Sequence, residues 1–92
     1  MFIASLRVEL FIPFSNSLKH KRQVLSSIKQ RVRNNFNIAV AEQAQDKWQR
    51  STVFFVGVNG KRVHLEKTLS SIEKMLYNQK DVEVIDTELE VI

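Results

Sequence analysis

The chain has no cysteine, one proline and only two glycines in its 92 residues. Without cysteine there is neither a disulfide framework nor a thiolate metal site, so the core must hold the fold unaided. Scarce glycine and proline exclude collagen-like and linker-rich chains. At 43% hydrophobic residues the chain is also too apolar for a disordered segment. Long apolar runs are missing as well. The stretch Met1–Phe14 is apolar but contains Arg7 and Glu9, which interrupt a signal-peptide core or a membrane span. The expectation is a cytoplasmic protein with no membrane partner. Residues 1–92 suffice for one domain, burying about 60–65% of the surface its unfolded chain exposes.

Acid is absent from one long stretch. Leu10 to Ala41 holds six Lys/Arg and no carboxylate, whereas Asp81 to Ile92 holds five acids and no base. With a net charge of +4, this polarity points to one face for anionic partners and another that repels them. A merely uneven solvated surface would give the same pattern.

Periodicity supplies the elements. Phe2–Ile12 alternates as a half-buried strand, with Leu6, Val8, Leu10 and Ile12 on one face and Ser5, Arg7, Glu9 and Phe11 on the other. Pro13 ends it. A helix follows from about Leu18 to Asn35, with Leu18, Val24, Leu25, Ile28, Val32 and Phe36 along one stripe. Ile38–Glu42 reads as a short strand, Gln43–Lys47 as a loop and Trp48–Val58 as a long strand. In that last strand Phe54, Val56 and Val58 oppose Val53 and Phe55, so both faces call for cover. Asn59-Gly60 is a hairpin signal, and Lys61–Glu66 alternates as a return strand would. Leu65, Leu69, Ile72 and Leu76 instead favour a helix from about Lys61 to Tyr77. Val82–Ile92 is a final strand, with Ile85, Leu89 and Val91 inward and Asp86, Glu88 and Glu90 outward, acids that discourage stray pairing at an edge. The order βαββαβ predicts an α+β, ferredoxin-like fold, a four-stranded antiparallel sheet with two helices on one face. That fold serves many functions and names none.

The most informative stretch is Ser17-Leu18-Lys19-His20-Lys21-Arg22. Ser17 is placed to cap the helix, and His20 stands where a capping box has Glu or Gln. The positive end of the helix dipole favours acids by about 0.3–1 kcal/mol each, yet cations crowd it. Such a start suits a bound anion. At 100° per residue Lys19, Arg22, Lys29 and Arg33 form a row with Ser26, about 21 Å long at 1.5 Å per residue. Basic stems beside an apolar stripe also commonly just cover it.

Other constellations are weaker. Sheet-face RNA recognition needs a basic, glycine-bearing aromatic run on the third strand, and Ser51–Val58 has no base. Trp48-Gln49-Arg50 admits two readings. One is a Trp plugging the core with Arg50 stacked on it or paired to Glu42. The other is a ring and guanidinium at a binding edge. The only histidines, His20 and His64, lack companions at metal-ligand spacing, and Ser17 lacks a positioned base. The loop Ile12–Asn16 has no glycine with which to cradle phosphate, unlike ferredoxin-like acyl phosphatases. No catalytic residue, metal or cofactor is assigned.

Three runs, Ser17–Arg22, Phe36–Glu42 and Trp48–Arg50, together resemble the YlxP-like family of small bacterial proteins, a group of unknown function. The likeness spans nearly the whole chain and implies a ferredoxin-like fold and a bacterial cytoplasmic protein. Genes of that family tend to lie among those for translation initiation and ribosome maturation, which implies an RNA or ribosome setting and no catalytic role. His20 departs from a common Glu, and Phe54 stands where small residues are common.

The resulting expectation is a non-enzymatic module that docks on structured RNA or a ribosomal particle. Lys19, Lys21, Arg22, Lys29, Arg33 and Arg50 would meet the nucleic acid. The alternative is a homodimeric protein-interaction or small-ligand module whose partner-binding face includes Phe11, Trp48, Phe54 and Val56.

Overall fold

The computed structural model describes residues 1–43 and 47–92. The middle of the loop expected over Gln43–Lys47 lies outside the described residues. In chain order the elements are β1 (Phe2–Phe11), α1 (Leu18–Asn35), β2 (Ala39–Gln43), β3 (Arg50–Asn59), α2 (Arg62–Tyr77) and β4 (Glu83–Val91). The strands form one antiparallel sheet in the order β2-β3-β1-β4. With both helices packed on one side, this is the expected ferredoxin-like fold.

β1 is central because its alternation is cleanest. Ala4, Leu6, Val8 and Leu10 are buried beneath the helices, and both of its edges are paired. Against them lie Val24, Leu25, Ile28 and Val32 of α1, Leu65, Leu69, Ile72 and Leu76 of α2, and Val53 and Phe55 of β3. Gly57 lets β3 pass close under its cover. A Cβ there would fall 2.5 Å from Ile38 Cδ1 and 2.8 Å from Leu65 Cδ1, so the missing side chain is what this close approach requires.

Local chemistry sets the helix starts. Ser17 Oγ accepts from the His20 backbone N–H at 3.0 Å, the capping bond expected. At Asn59-Gly60 the Asn59 side chain accepts from the Lys61 N–H at 2.8 Å, and the chain enters α2 rather than a hairpin. The apolar row Leu65–Leu76 outweighs the turn signal because only a helix buries all of it.

Three details differ from the sequence-based expectation. Trp48 and Gln49 precede β3 rather than opening it: the Gln49 carbonyl still accepts from Ile12 N–H at 2.8 Å, but its side chain turns to the loop after β1. In β4 a bulge intervenes: Glu9 faces Asp86, but Leu10 faces Val84. The extra residue reverses the inside-outside alternation. Val82 and Val84 therefore turn toward the core, and Ile85, expected inward, is 45% exposed. Third, the outer face of β3 has only partial cover within the chain, with Val56 and Val58 exposed.

Candidate nucleic-acid interface

α1 carries Lys19, Lys21, Arg22, Lys29, Arg31 and Arg33 and no carboxylate. Its position is fixed by three bonds to the chain beside it. Arg33 Nη2 donates to the Val40 carbonyl at 3.4 Å, Lys29 Nζ to Glu42 Oε1 at 2.8 Å, and Lys21 Nζ to the Lys47 carbonyl at 2.8 Å. As the helix is followed backward the chain advances, so α1 runs antiparallel to β2. Its basic flank follows the β2 edge toward Trp48.

The six expected nucleic-acid residues do not share one environment. Lys19 and Arg22 are exposed, and among the described residues neither side chain has a hydrogen-bond or ionic partner. Arg33 is exposed and uses one of its five donors on Val40, leaving the rest for a ligand. Lys29 is partly covered and neutralised by Glu42. Lys21 is only 4% exposed, with its ammonium turned inward to Lys47. Arg50 is exposed and, contrary to the pairing weighed from sequence, does not meet Glu42, whose carboxylate is taken by Lys29.

Two shallow depressions of about 480 and 550 Å³ flank the row and share Arg22, Ser26 and Gln30. Gln23, Ser27 and Asn34 complete their polar walls. The sequence pattern alone gave these amides and hydroxyls no prominence, although Gln23 and Gln30 each lie three or four positions from two members of the row. They add neutral hydrogen-bonding groups beside the cations, the mixture that phosphate and ribose contacts use.

A third depression, of about 460 Å³, is lined by Phe11, Lys47, Trp48, Gln49 and Arg50, and Phe11 and Arg50, paired in register, place it on the open side of the sheet. Trp48 is 54% exposed and so does not plug the core. Gln49 Nε2 donates to the carbonyls of Pro13 at 3.2 Å and Ser15 at 3.4 Å, lacing two loops together. Nothing in the sequence singled Gln49 out for this.

Of the expected partner-binding residues, Phe11, Phe54 and Val56 share the open sheet face, Phe11 at the end where it and Trp48 line the depression just described. There the register sets Ile3 beside Val58, Ala39 beside Val56 and Ala41 beside Phe54. The neighbouring part of that face is polar. Arg7 contacts Asp86 at 3.0 Å, Glu9 at 3.2 Å and Glu88 at 3.6 Å, and Thr52 Oγ1 donates to Glu9 at 2.6 Å. The hydrogen bond to Asp86, opposed by some desolvation, holds the Arg7 guanidinium above its ordinary pKa.

Among the described residues no group of three His, Cys, Asp or Glu gathers to hold a metal. No described helix is long and apolar enough to cross a membrane.

Residues 3–89 match the model of a family described as "Protein of unknown function (DUF503)". The chain is 37% identical over 76 residues to the "Uncharacterized protein YlxP" of Bacillus subtilis (strain 168), covering 82% of this chain and 83% of that one. Among solved structures it is similar to the "De novo designed protein Foldit4", with a TM-score of 0.57 over 99% of this chain and 94% of the other. At 12% identity that likeness is one of fold alone.

Proposed function

The chain belongs to the DUF503 family of proteins of unknown function, and since membership brings no activity with it, we propose from its own surface that it binds structured RNA, free or within a ribosomal particle, along α1. One observation carries this reading. α1 has no acid of its own, and in the row Lys19, Arg22, Lys29 and Arg33 only Lys29 meets a carboxylate among the described residues, that of Glu42. Lys19, Arg22 and Arg33 remain available, with Lys29 free to exchange Glu42 for a phosphate. Recognition of this kind reads backbone charge and shape, and its affinity falls with salt as counterions are released.

The test is a titration of a ribosomal RNA fragment across a series of salt concentrations. Lys19→Glu, Arg22→Glu and Arg33→Glu combined should weaken binding more than tenfold at low salt. For every phosphate that the variant no longer engages, the salt dependence should become shallower by about one unit of slope. All three side chains are exposed, so thermal melting should move little. Unchanged affinity would end the proposal.

A second reading rests on the open sheet face, where Ile3, Val56 and Val58 are 42%, 36% and 52% exposed and adjacent. Such a patch suits a second copy of the chain, because a two-fold contact needs only a surface complementary to itself. The expected result is a dimer in sedimentation at micromolar concentration, converted to a folded monomer by Val56→Asp. A wild-type monomer under those conditions removes this reading.

A further inference from the structure

We infer that the depression between Phe11, Trp48 and Arg50 is a stacking site for an unpaired base of the RNA whose phosphates follow α1. This rests on the RNA reading above and extends it from charge to the bases.

A tryptophan that serves only packing hides its ring, whereas more than half of Trp48 faces solvent. Its backbone is nevertheless held on both sides. Lys47 accepts from the buried Lys21 ammonium. Gln49 is bound through its carbonyl to Ile12 and through its side chain to Pro13 and Ser15. An exposed ring on anchored backbone has little ordering entropy left to lose when a ligand stacks on it. The half-buried Phe11 supplies a second aromatic surface in the same depression. The depression, of about 460 Å³, is open on one side, the shape that a flat base stacked on a ring needs.

Charge fixes which ligand fits. Lys47 and Arg50 both line the depression, and among the described residues neither side chain has an ionic partner. Glu83, across the strand pair from Phe11, repels phosphate from the other side. A nucleotide would therefore lay its base over the rings and turn its phosphate toward Lys47 and Arg50. The Lys21–Lys47 bond brings the first turn of α1 to the residue before Trp48, so the start of the basic flank and the depression share one end of the sheet, with Phe11 and Arg50 on its open face. An unpaired strand leaving a duplex at the first turn of α1 would reach the depression by passing round this end of the sheet.

Trp48 is the only tryptophan, so its fluorescence reports this site directly. The full chain is titrated with an RNA stem bearing a short adenosine overhang, and with the same stem whose overhang lacks bases but keeps every phosphate. Stacking on one aromatic is worth about five- to a hundredfold in affinity. The adenosine form should therefore bind at least fivefold more tightly and quench Trp48 saturably. Trp48→Ala should erase that preference without changing affinity for the baseless form, and Trp48→Phe should retain most of it. Equal affinity of wild-type protein for the two stems overturns the base site while leaving the α1 reading intact. Failure to bind either stem overturns both.

Discussion

Replacing Phe55 by alanine should lower the free energy of unfolding by about 3–5 kcal/mol, read as a fall in the urea midpoint at unchanged slope. Phe55 is fully buried in the central part of the sheet, between β1 and β2 in register with Leu6 and Val40. Its removal forfeits the transfer free energy of the ring and leaves a void lined by rigid strands, which collapse poorly around it. A chain of this length has about 5–14 kcal/mol of stability in all, so the variant loses a large fraction of it. Phe54, one residue earlier, points to the open face and should cost about 1 kcal/mol or less on truncation. The pair tests the face assignment with the composition held constant. Equal destabilisation by the two substitutions would contradict it.

Lys21→Glu is the second large effect. Two positions away, Lys19→Glu should leave stability almost unchanged, since that side chain is exposed and without a partner among the described residues. At Lys21 a carboxylate would be buried facing the Lys47 carbonyl oxygen, one acceptor against another. Uncompensated buried charge of this kind costs about 3–5 kcal/mol. Lys21→Met keeps the length of the stem and removes only the ammonium, with an expected loss of about 1–3 kcal/mol. Chemical denaturation of the three variants should order them Lys19→Glu, Lys21→Met, Lys21→Glu from most to least stable. Comparable stability for Lys19→Glu and Lys21→Glu would mean that Lys21 is not held inside in solution.

Lys21 also shows where sequence reasoning stops. It stands four residues before Leu25 and seven before Ile28, at about 40° and 20° from them around a helix of 3.6 residues per turn. Its place on the apolar stripe was therefore legible. A lysine there can still snorkel outward. One bond that holds it in runs to the Lys47 carbonyl, twenty-six residues on, and no local pattern announces that partner. The same holds for Glu42. From sequence Arg50 was a fair candidate for it, being close in the chain across the β2–β3 connection. The packing of α1 along β2 brought Lys29 nearer and left Arg50 to the Trp48 depression.

The sequence by itself determined the element order, the capped start of α1 at Ser17, the buried stripes and the acid-free helix, because periodicity, capping and charge composition are properties of neighbouring residues. Only the tertiary structure decided that Lys21 turns inward, that Lys29 is neutralised while Lys19 and Arg22 are not, that a bulge frees Val84 for the core in place of Ile85, and that Trp48 lies open beside Phe11 and Arg50. Each of those outcomes depends on the distance between segments far apart in the chain, and that distance is set by how the helices settle on the sheet.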